Sequence, residues 1–162
     1  MDILSKMSAG HCLSWAGLSG GTTTTINTTG TIIYAILGKA YNKAQLSNGA
    51  TPTTDAVTGA AFVAVPANYG SVYTIGFNAA GTLQVVQGEV QALDAQGNFI
   101  TAPQFGPIPN DHCPVGYLVI KAGSTASSSP GWVFGTSNQS GVTGITYDFQ
   151  NCITLPDRPQ VT

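Results

Sequence analysis

The sequence predicts an all-β protein, a β-sandwich or jelly-roll-like single domain with an extended N-terminal arm, and three observations support this. Roughly six to eight short apolar and β-branched runs are separated by turns rich in Gly, Pro and Asn. No stretch repeats apolar residues with the 3.6-residue period of an amphipathic helix. The 162 residues are enough to bury the core of one domain.

The N-terminal residues 1–30 are predicted to be an extended arm followed by a Gly/Thr-rich link, and the β-sandwich domain is predicted over 31–162. The run "LSGGTTTTINTTGT" favours extended chain and disfavours helix. Such a link buries too little area to offset its ordering entropy, so we expect the arm to become ordered only in an assembly. Its anchoring side chains would be Ile3, Leu4, Leu13, Trp15 and Leu18.

The first half of the predicted domain contains four strand-like runs. The run "TIIYAIL" at 31–37 is apolar on both faces, and "GKAYNKAQLSNGATPTTD" after it is predicted to be a turn and a loop. Further strands are predicted at 60–65, 71–77 and 82–94. In the last of these the apolar alternation changes phase beside Gly88, which indicates a bulge or a bend. The sequence "DAQGNF" at 94–99 is typical of a hairpin turn.

The second half is organised around "CPVGYLVIKAGS" at 113–124. Four prolines make 102–114 an irregular crossing rather than a strand. Val115, Tyr117 and Val119 then alternate with Leu118 and Ile120, so this strand is predicted to be central and covered on both faces. A short strand is predicted within "SSSPGWVFG", another at 141–149, and an extended C-terminal tail after it.

The composition is unusually poor in charge. Five Lys/Arg and seven Asp/Glu make up 7% of the chain, whereas about 25% is usual. Because 43% of the residues are hydrophobic and fall in organised runs, the chain is not predicted to be disordered. A surface with so few charges must be covered by small polar groups or by neighbouring molecules, which favours a component of an assembly.

The charge distribution argues against nucleic acid and membrane partners. The net charge is −2 and the five cations are scattered along the sequence, so no phosphate-binding cluster is predicted. No apolar run approaches the ~20 residues of a membrane span. The N-terminal sequence does not resemble a secretory signal, and we expect the protein to be made in the cytoplasm of its host.

Residues that could carry chemistry are few, and their spacing does not favour catalysis. The three cysteines, Cys12, Cys113 and Cys152, are predicted to be reduced and to bind no metal, because their spacing matches no zinc site. The tripeptide Asp111-His112-Cys113 cannot form a triad, since adjacent side chains in extended chain point apart. Glu89 and the six aspartates offer no distinguishable glycosidase pair. We therefore predict that the protein is not an enzyme and uses no cofactor.

Four blocks carry a family resemblance: "YAILGKAYNKA", "LQVVQGEVQALDAQGNF", "IPNDHCPVGYLVIKAGS" and "FGTSNQSGVTGITYDFQNCITLPDRPQ". Over roughly residues 30–160 the chain resembles the head decoration, or capsid cement, proteins of tailed phages. The resemblance implies a β-sandwich or jelly roll on the outer capsid surface of the virion, bound to the major capsid protein as a homo-oligomer, a dimer or a trimer. It implies no catalytic or cofactor-binding residue.

Within that hypothesis, three regions are predicted to contact the capsid. They are the arm around Trp15, the crossing at 105–112 and the tail at 155–159, where Arg158 could bind a carboxylate bidentately. A tail-fibre or adhesin-type β-module that binds a host receptor is the alternative, although repeats and a long stem are missing from the sequence. A secreted lectin-like domain is a third alternative. The predicted contact residues are Leu13, Trp15, Leu18, Phe105, His112, Leu155 and Arg158.

Overall fold

The computed structural model describes residues 10–161, so the predictions for Ile3 and Leu4 lie outside the described residues. The described chain is all-β and contains no helix, which confirms the predicted class. The strands are β1 His11–Cys12, β2 Ser19–Gly20, β3 Thr25–Asn27, β4 Ile32–Ile36, β5 Lys39–Lys43, β6 Gly49–Ala50, β7 Tyr69–Phe77, β8 Leu83–Gln87, β9 Gln91–Ala92, β10 Cys113–Ala122 and β11 Ile145–Asn151.

The strands form three antiparallel sheets. The main sheet has the order β11-β10-β7-β8, and β9 also pairs with β7. A three-stranded sheet of order β1-β4-β5, here called the small sheet, packs across the core from it, and the third sheet has the order β2-β3-β6. Tyr34 Oη of the small sheet donates to Asn78 O after β7 at 2.8 Å, which ties the first two sheets together.

The strand β10 is central, as predicted, because β7 and β11 flank it and nearly every residue in it is buried. One face of β10 carries Leu118 and Ile120, which lie in the main core. The other face carries Tyr117 and Val119, which lie in a separate buried cluster. The prediction that β10 is covered on both faces is therefore confirmed.

The phase predicted for Val115 is wrong. Val115 lies in the main core, whereas Tyr117 and Val119 lie on the opposite face. The register between β10 and β7 shifts between Pro114 and Gly116, so one residue is inserted and the alternation changes there. This bulge also explains how a proline is accommodated within a central strand, since the ladder is interrupted at that point.

The bend predicted beside Gly88 is present between β8 and β9. Gly88 N donates to Val72 O, and a Cβ on Gly88 would collide with Gln104 O, so the glycine allows the crossing segment to approach closely. The hairpin predicted at 94–99 is also confirmed. Leu93 bridges Phe99 around it, and Asp94 N donates to Asn98 O.

Two predicted strands are wrong. Within 60–65 only Ala61 and Val65 make isolated bridges, and within "SSSPGWVFG" only Trp132 does, opposite Val65. These segments are used for side-chain packing instead of ladder formation. They supply part of a group of aromatic rings whose centroids lie 5.0–6.0 Å apart: Phe62, Tyr73, Trp132 and Phe134.

The segment predicted as turn and loop after residue 37 is instead the strand β5, which pairs with β4. Ile36 pairs with Lys39, leaving Leu37 and Gly38 as a two-residue turn. Both turn residues have positive φ, 50° and 76°, as a type I′ turn requires. The usual Asn-Gly signal is absent because leucine occupies the first position, so the hairpin was not recognisable from its turn.

The structure also differs from the predicted arm over residues 10–30. Cys12, Leu18 and Ile26 are buried in the main core, and β1, β2 and β3 are paired within the sheets. Leu18 N donates to Asn151 Oδ1 at 2.8 Å, which joins this segment to the end of β11. A few widely spaced apolar residues therefore supply enough burial to order a segment whose composition is typical of a link.

Candidate partner-binding surfaces

The seven predicted contact residues lie in different surroundings. Leu13, Trp15 and Arg158 are exposed, whereas Leu18 and His112 are buried. The buried pair therefore offers no side chain to a partner in this conformation. The remaining two, Phe105 and Leu155, are half-buried and pack against the same cluster.

The outer face of the small sheet is apolar. Leu13 follows β1 and Leu13 N donates to Ile33 O, which continues the pairing of β1 with β4 and puts the two side chains on one face. Leu13 is 53% exposed and Ile33 is 46% exposed. Trp15, two residues further on, is 65% exposed. We call Leu13, Trp15, Ile33, Leu37 and Ile153 the apolar sheet surface.

The other two members of the apolar sheet surface lie at its borders. Leu37 is 67% exposed in the turn between β4 and β5. Ile153 O accepts from Cys12 N at 2.8 Å, so Ile153 runs beside the free edge of β1. Five of the ten large exposed apolar side chains of the described residues thus belong to this one sheet and its borders. Scattered exposed apolar residues are ordinary, but a group of this kind is typical of an interaction site.

The small sheet keeps its lysines off this face. Ile33 pairs with Asn42, and Ala35 pairs with Ala40, so the outer face of β5 carries an amide and a methyl group. Lys39 and Lys43 pair with Ile36 and Ile32, which puts them on the core-facing side at the sheet edge. Lysines at an edge strand discourage unwanted strand pairing, and here they do so from the other side of the sheet.

A second cluster covers the other face of the main sheet. Its buried members are Val72, Tyr117 and Val119, and its half-buried members are Phe99, Phe105 and Leu155. The rings of Phe105 and Tyr117 meet edge to face at 5.1 Å. Tyr117 Oη also accepts from Gln160 N at 3.0 Å, so the tail is fastened to this face. Phe105 and Leu155, predicted from distant parts of the sequence, are brought together here.

His112 is a structural residue rather than a contact residue. It is fully buried, and burial lowers the pKa of its imidazole to about 4, an effect that nearby Asp111 only partly opposes. Its Nδ1 lies 3.3 Å from Gln84 Oε1, while its Nε2 has no hydrogen-bond partner. A Cβ on Gly76 would collide with the ring, so that glycine makes room for it.

The thiols are poor nucleophiles. Burial raises the pKa of Cys113 and of Cys152 to about 12, and the neighbouring Cys12 contributes in both cases. Burial also raises the pKa of Cys12, whose Sγ donates to Ser14 O. Since the thiolate is the reactive form, these groups are inert at neutral pH.

Two carboxylates, Asp55 and Glu89, line one cleft of about 690 Å³. The Asp55 carboxylate accepts from the backbone N–H groups of Val57, Thr58 and Gln87. These bonds hold the loop between β6 and β7 against the edge strand β8, so Asp55 has a structural role. Between residues 10 and 161, no three His, Cys, Asp or Glu side chains are arranged to hold a metal ion, and no helix could span a membrane.

A second cleft, of about 390 Å³, lies on the other side of Gly88 and contains Gln91, Gln104 and Phe105. Gln91 Oε1 is buried there without a hydrogen-bond partner. Amides beside an aromatic ring are the groups that bind hydroxylated ligands in clefts of this size.

No protein-family model matches the chain, and neither a curated protein nor a solved structure matches it significantly. The surfaces above therefore rest on geometry alone. Sequence reasoning missed Ile33, Leu37 and Ile153. For Ile33 the available signal was that both faces of 31–37 are apolar. This pattern predicts that the strand is buried on both sides, and it does not show which side is exposed to solvent. Ile153 carried no signal, because its position beside β1 depends on the fold.

Proposed function

We propose that the protein is a structural component of a phage virion that binds the outer surface of an assembled capsid and stabilises contacts between capsomers. The observation that supports this best is the apolar sheet surface, whose five members are exposed apolar side chains that include Leu13 and Trp15. Burying such side chains against another protein removes apolar area from water, at about 25 cal/mol per Å². The resemblance of residues 30–160 to the head decoration proteins of tailed phages supports a capsid as the partner.

Within this proposal, the fold is a β-sandwich. The main sheet and the small sheet face each other across one core, to which Tyr34 and Ile36 contribute from one side and Ile75 and Leu118 from the other. A rigid sandwich of this kind holds the apolar sheet surface in one shape, so little conformational entropy is lost on binding.

A capsid-stabilising protein can act through many weak contacts. A homo-oligomer that contacts several capsomers gains from effective concentration, so each copy needs little affinity. A ligand that binds only the assembled lattice also stabilises it by mass action. Because the proposed contacts are mainly apolar, raising the salt concentration is expected to weaken binding only mildly.

The proposal is tested with heads assembled without the protein. Wild-type protein should sediment with them and raise the temperature at which they release their genome. Trp15→Ser should reduce co-sedimentation by about tenfold, since it removes a large apolar contact. Ile100→Ser is the matched control, because Ile100 is 68% exposed but lies outside the apolar sheet surface. Heads that are equally stable with and without the protein would refute the proposal.

A tail-fibre or adhesin-type module that binds a host receptor is the second candidate. The cleft containing Gln91, Gln104 and Phe105 favours it, because an unpartnered amide oxygen beside an aromatic ring suits a hydroxylated ligand. Binding to host cells that Gln91→Ala abolishes and Trp15→Ser leaves unchanged would make this candidate the better one.

A further inference from the structure

The main sheet ends in two edge strands, β8 and β11, and its own chain covers the edge of β8. There, Ala56 N donates to Val85 O at 2.9 Å. The Asp55 carboxylate accepts from Gln87 N at 2.7 Å. Backbone groups that β8 turns away from β7 are therefore bonded by the loop between β6 and β7.

The pairing of β11 with β10 shows which backbone groups of β11 point outwards. Just beyond one end of this ladder, Cys152 N donates to Val115 O at 3.2 Å. Just beyond the other end, Gly123 N donates to Gly144 O at 2.8 Å. Both bonds continue the register of the strands, and hydrogen-bonded pairs alternate along an antiparallel ladder. The even-numbered residues of β11 therefore bond to β10, and the odd-numbered ones face away from it.

The outward groups belong to Tyr147, Phe149 and Asn151. Their backbone N–H and C=O groups make no hydrogen bond to another residue within 10–161. The strand contains neither proline nor lysine, and its single charged side chain is Asp148. The edge strand of the small sheet, in contrast, carries two lysines. An edge strand without such protection is able to pair with another strand.

We propose that β11 pairs with β11 of a second copy of this chain, antiparallel and about a two-fold axis at Phe149. Phe149 is then opposite Phe149 of the partner subunit, and Tyr147 is opposite the partner's Asn151, so every outward residue is paired. Asp148 is opposite the partner's Gln150, and no like charges meet. A two-fold axis at Asp148 would instead put two carboxylates opposite each other, which is unfavourable.

The side chains of β11 also favour a second copy as the occupant of this edge. Gln150 Nε2 donates to Asp148 Oδ1 of the same chain at 2.7 Å. Because a primary amide has two N–H groups, the second is available for the partner's Asp148. The two-fold axis repeats this contact, so the strand is complementary to itself. Phe149 is half-buried, and aromatic side chains opposite each other add to the stability of a strand pair.

Such a dimer would be the homo-oligomer that the proposed function uses, and the inference rests on the proposed function for this role alone. A dimer presents each capsid contact twice, which increases the strength of attachment through effective concentration. The pairing itself is a property of the isolated protein, so it is tested without heads.

Sedimentation equilibrium of the purified protein measures the dimer, and we expect the wild type to dimerise reversibly. Gln150→Asp should weaken the dimer by about tenfold, because it puts two pairs of carboxylates opposite each other. Gln150→Lys should tighten it by about threefold, because each added ammonium is opposite a carboxylate. Asn42→Asp is the matched control. It adds the same charge to β5, the edge strand of the small sheet, and should leave the dimer unchanged.

Amide hydrogen exchange above and below the dimer dissociation constant identifies the paired edge. The amides of Tyr147 and Phe149 should be protected only in the dimer, whereas those of Asp148 and Gln150, which donate to β10, should be protected in both states. A protein that stays monomeric, a dimer without this alternating protection, or a dimer weakened by Gln150→Lys would overturn the proposal. Failure here leaves the proposed function to its own test, and a dimer that does not attach to heads would refute only the function.

Discussion

Leu118 and Tyr117 are neighbours on β10, yet their side chains enter very different surroundings. Leu118 lies in the main core, which unites residues of the main sheet, the small sheet and the aromatic group around Phe134. Tyr117 lies in the second cluster, where only three residues are buried and half-buried side chains from the proline-rich crossing and the tail complete the cover. The two faces of one strand therefore differ in how deeply they are covered.

The comparison indicates a division of roles. The main core is formed by interlocking sheets and should supply most of the stability, because buried apolar area is its main source. The second cluster is covered by segments without regular strands, so it should open at lower cost. A cover of this kind can adjust to a partner without unfolding the sheets.

The largest expected effect compares one phenylalanine on each face. Phe134→Ala should lower the free energy of unfolding by about 3–5 kcal/mol, because Phe134 is fully buried among Phe62, Tyr73 and Trp132. Phe105→Ala should lower it by about 1 kcal/mol, since that ring is half-buried. Urea unfolding measures both. Equal losses would show that the two faces contribute alike.

The second effect is a dependence on pH that comes from His112. Its pKa is about 4 in the folded protein against an ordinary 6.5, so between these values the unfolded chain binds a proton that the folded protein does not. Stability should therefore fall as the pH drops from about 6.5 to 4, by roughly 3 kcal/mol in total. His112→Gln should remove this part of the pH dependence. Parallel curves for the two proteins would contradict the buried, neutral state.

The third effect concerns the tail. Tyr117→Phe keeps the ring but removes the acceptor for Gln160 N, at a cost of about 1 kcal/mol. Exchange of the Gln160 amide should quicken more than exchange within β10. Tyr147→Phe serves as control, because it loses a comparable bond to Asn138 O on another part of the surface and should leave Gln160 unaffected. A Gln160 amide that exchanges equally in all three proteins would mean that the tail is held by other contacts.

The smallest effect should be a gain. Leu37 occupies a left-handed conformation, φ 50°, that asparagine adopts more easily, as Asn48 and Asn68 do elsewhere in the fold. Leu37→Asn should therefore raise the midpoint of thermal unfolding, by an amount equivalent to about 0.5–1 kcal/mol. The same change removes an apolar group from the apolar sheet surface and should weaken attachment to heads. Stabilisation together with undiminished attachment would exclude Leu37 from the contact.

Strands that are deeply buried were easier to predict from the sequence than segments that are partly exposed. The strands β4, β7 and β10 were recognisable because dense apolar alternation marks strands that are covered. The hairpin of β4 and β5 was missed because its turn has leucine, Leu37, at a position where asparagine or glycine is usual. Residues 10–30 were predicted to be an arm because only a few of them, such as Ile26, are apolar residues that become buried. The bulge at Pro114 puts the Val115 side chain on the face opposite to the predicted one, and the amino-acid composition of this run does not indicate a bulge.

Less of the candidate site could be predicted. Trp15 and Arg158 are exposed as expected, but Leu18 and His112 are buried. The burial of these two could not be predicted, because the sequence around a single apolar or polar residue does not show whether its side chain is exposed to solvent. The pairing of Leu13 with Ile33 and the packing of Phe105 and Leu155 against one cluster both join residues that are distant in sequence. Such juxtapositions depend on the tertiary fold and have no local signal.

Amide hydrogen exchange of the free protein tests the difference between the two faces most directly. We predict that amides of β10, Cys113–Ala122, exchange only through global unfolding, so that their free energies of opening equal the free energy of unfolding measured in urea. Amides of the tail at 155–161 should open with clearly smaller free energies, because they cover only the second cluster. Tail amides that are protected as strongly as those of β10 would contradict the account.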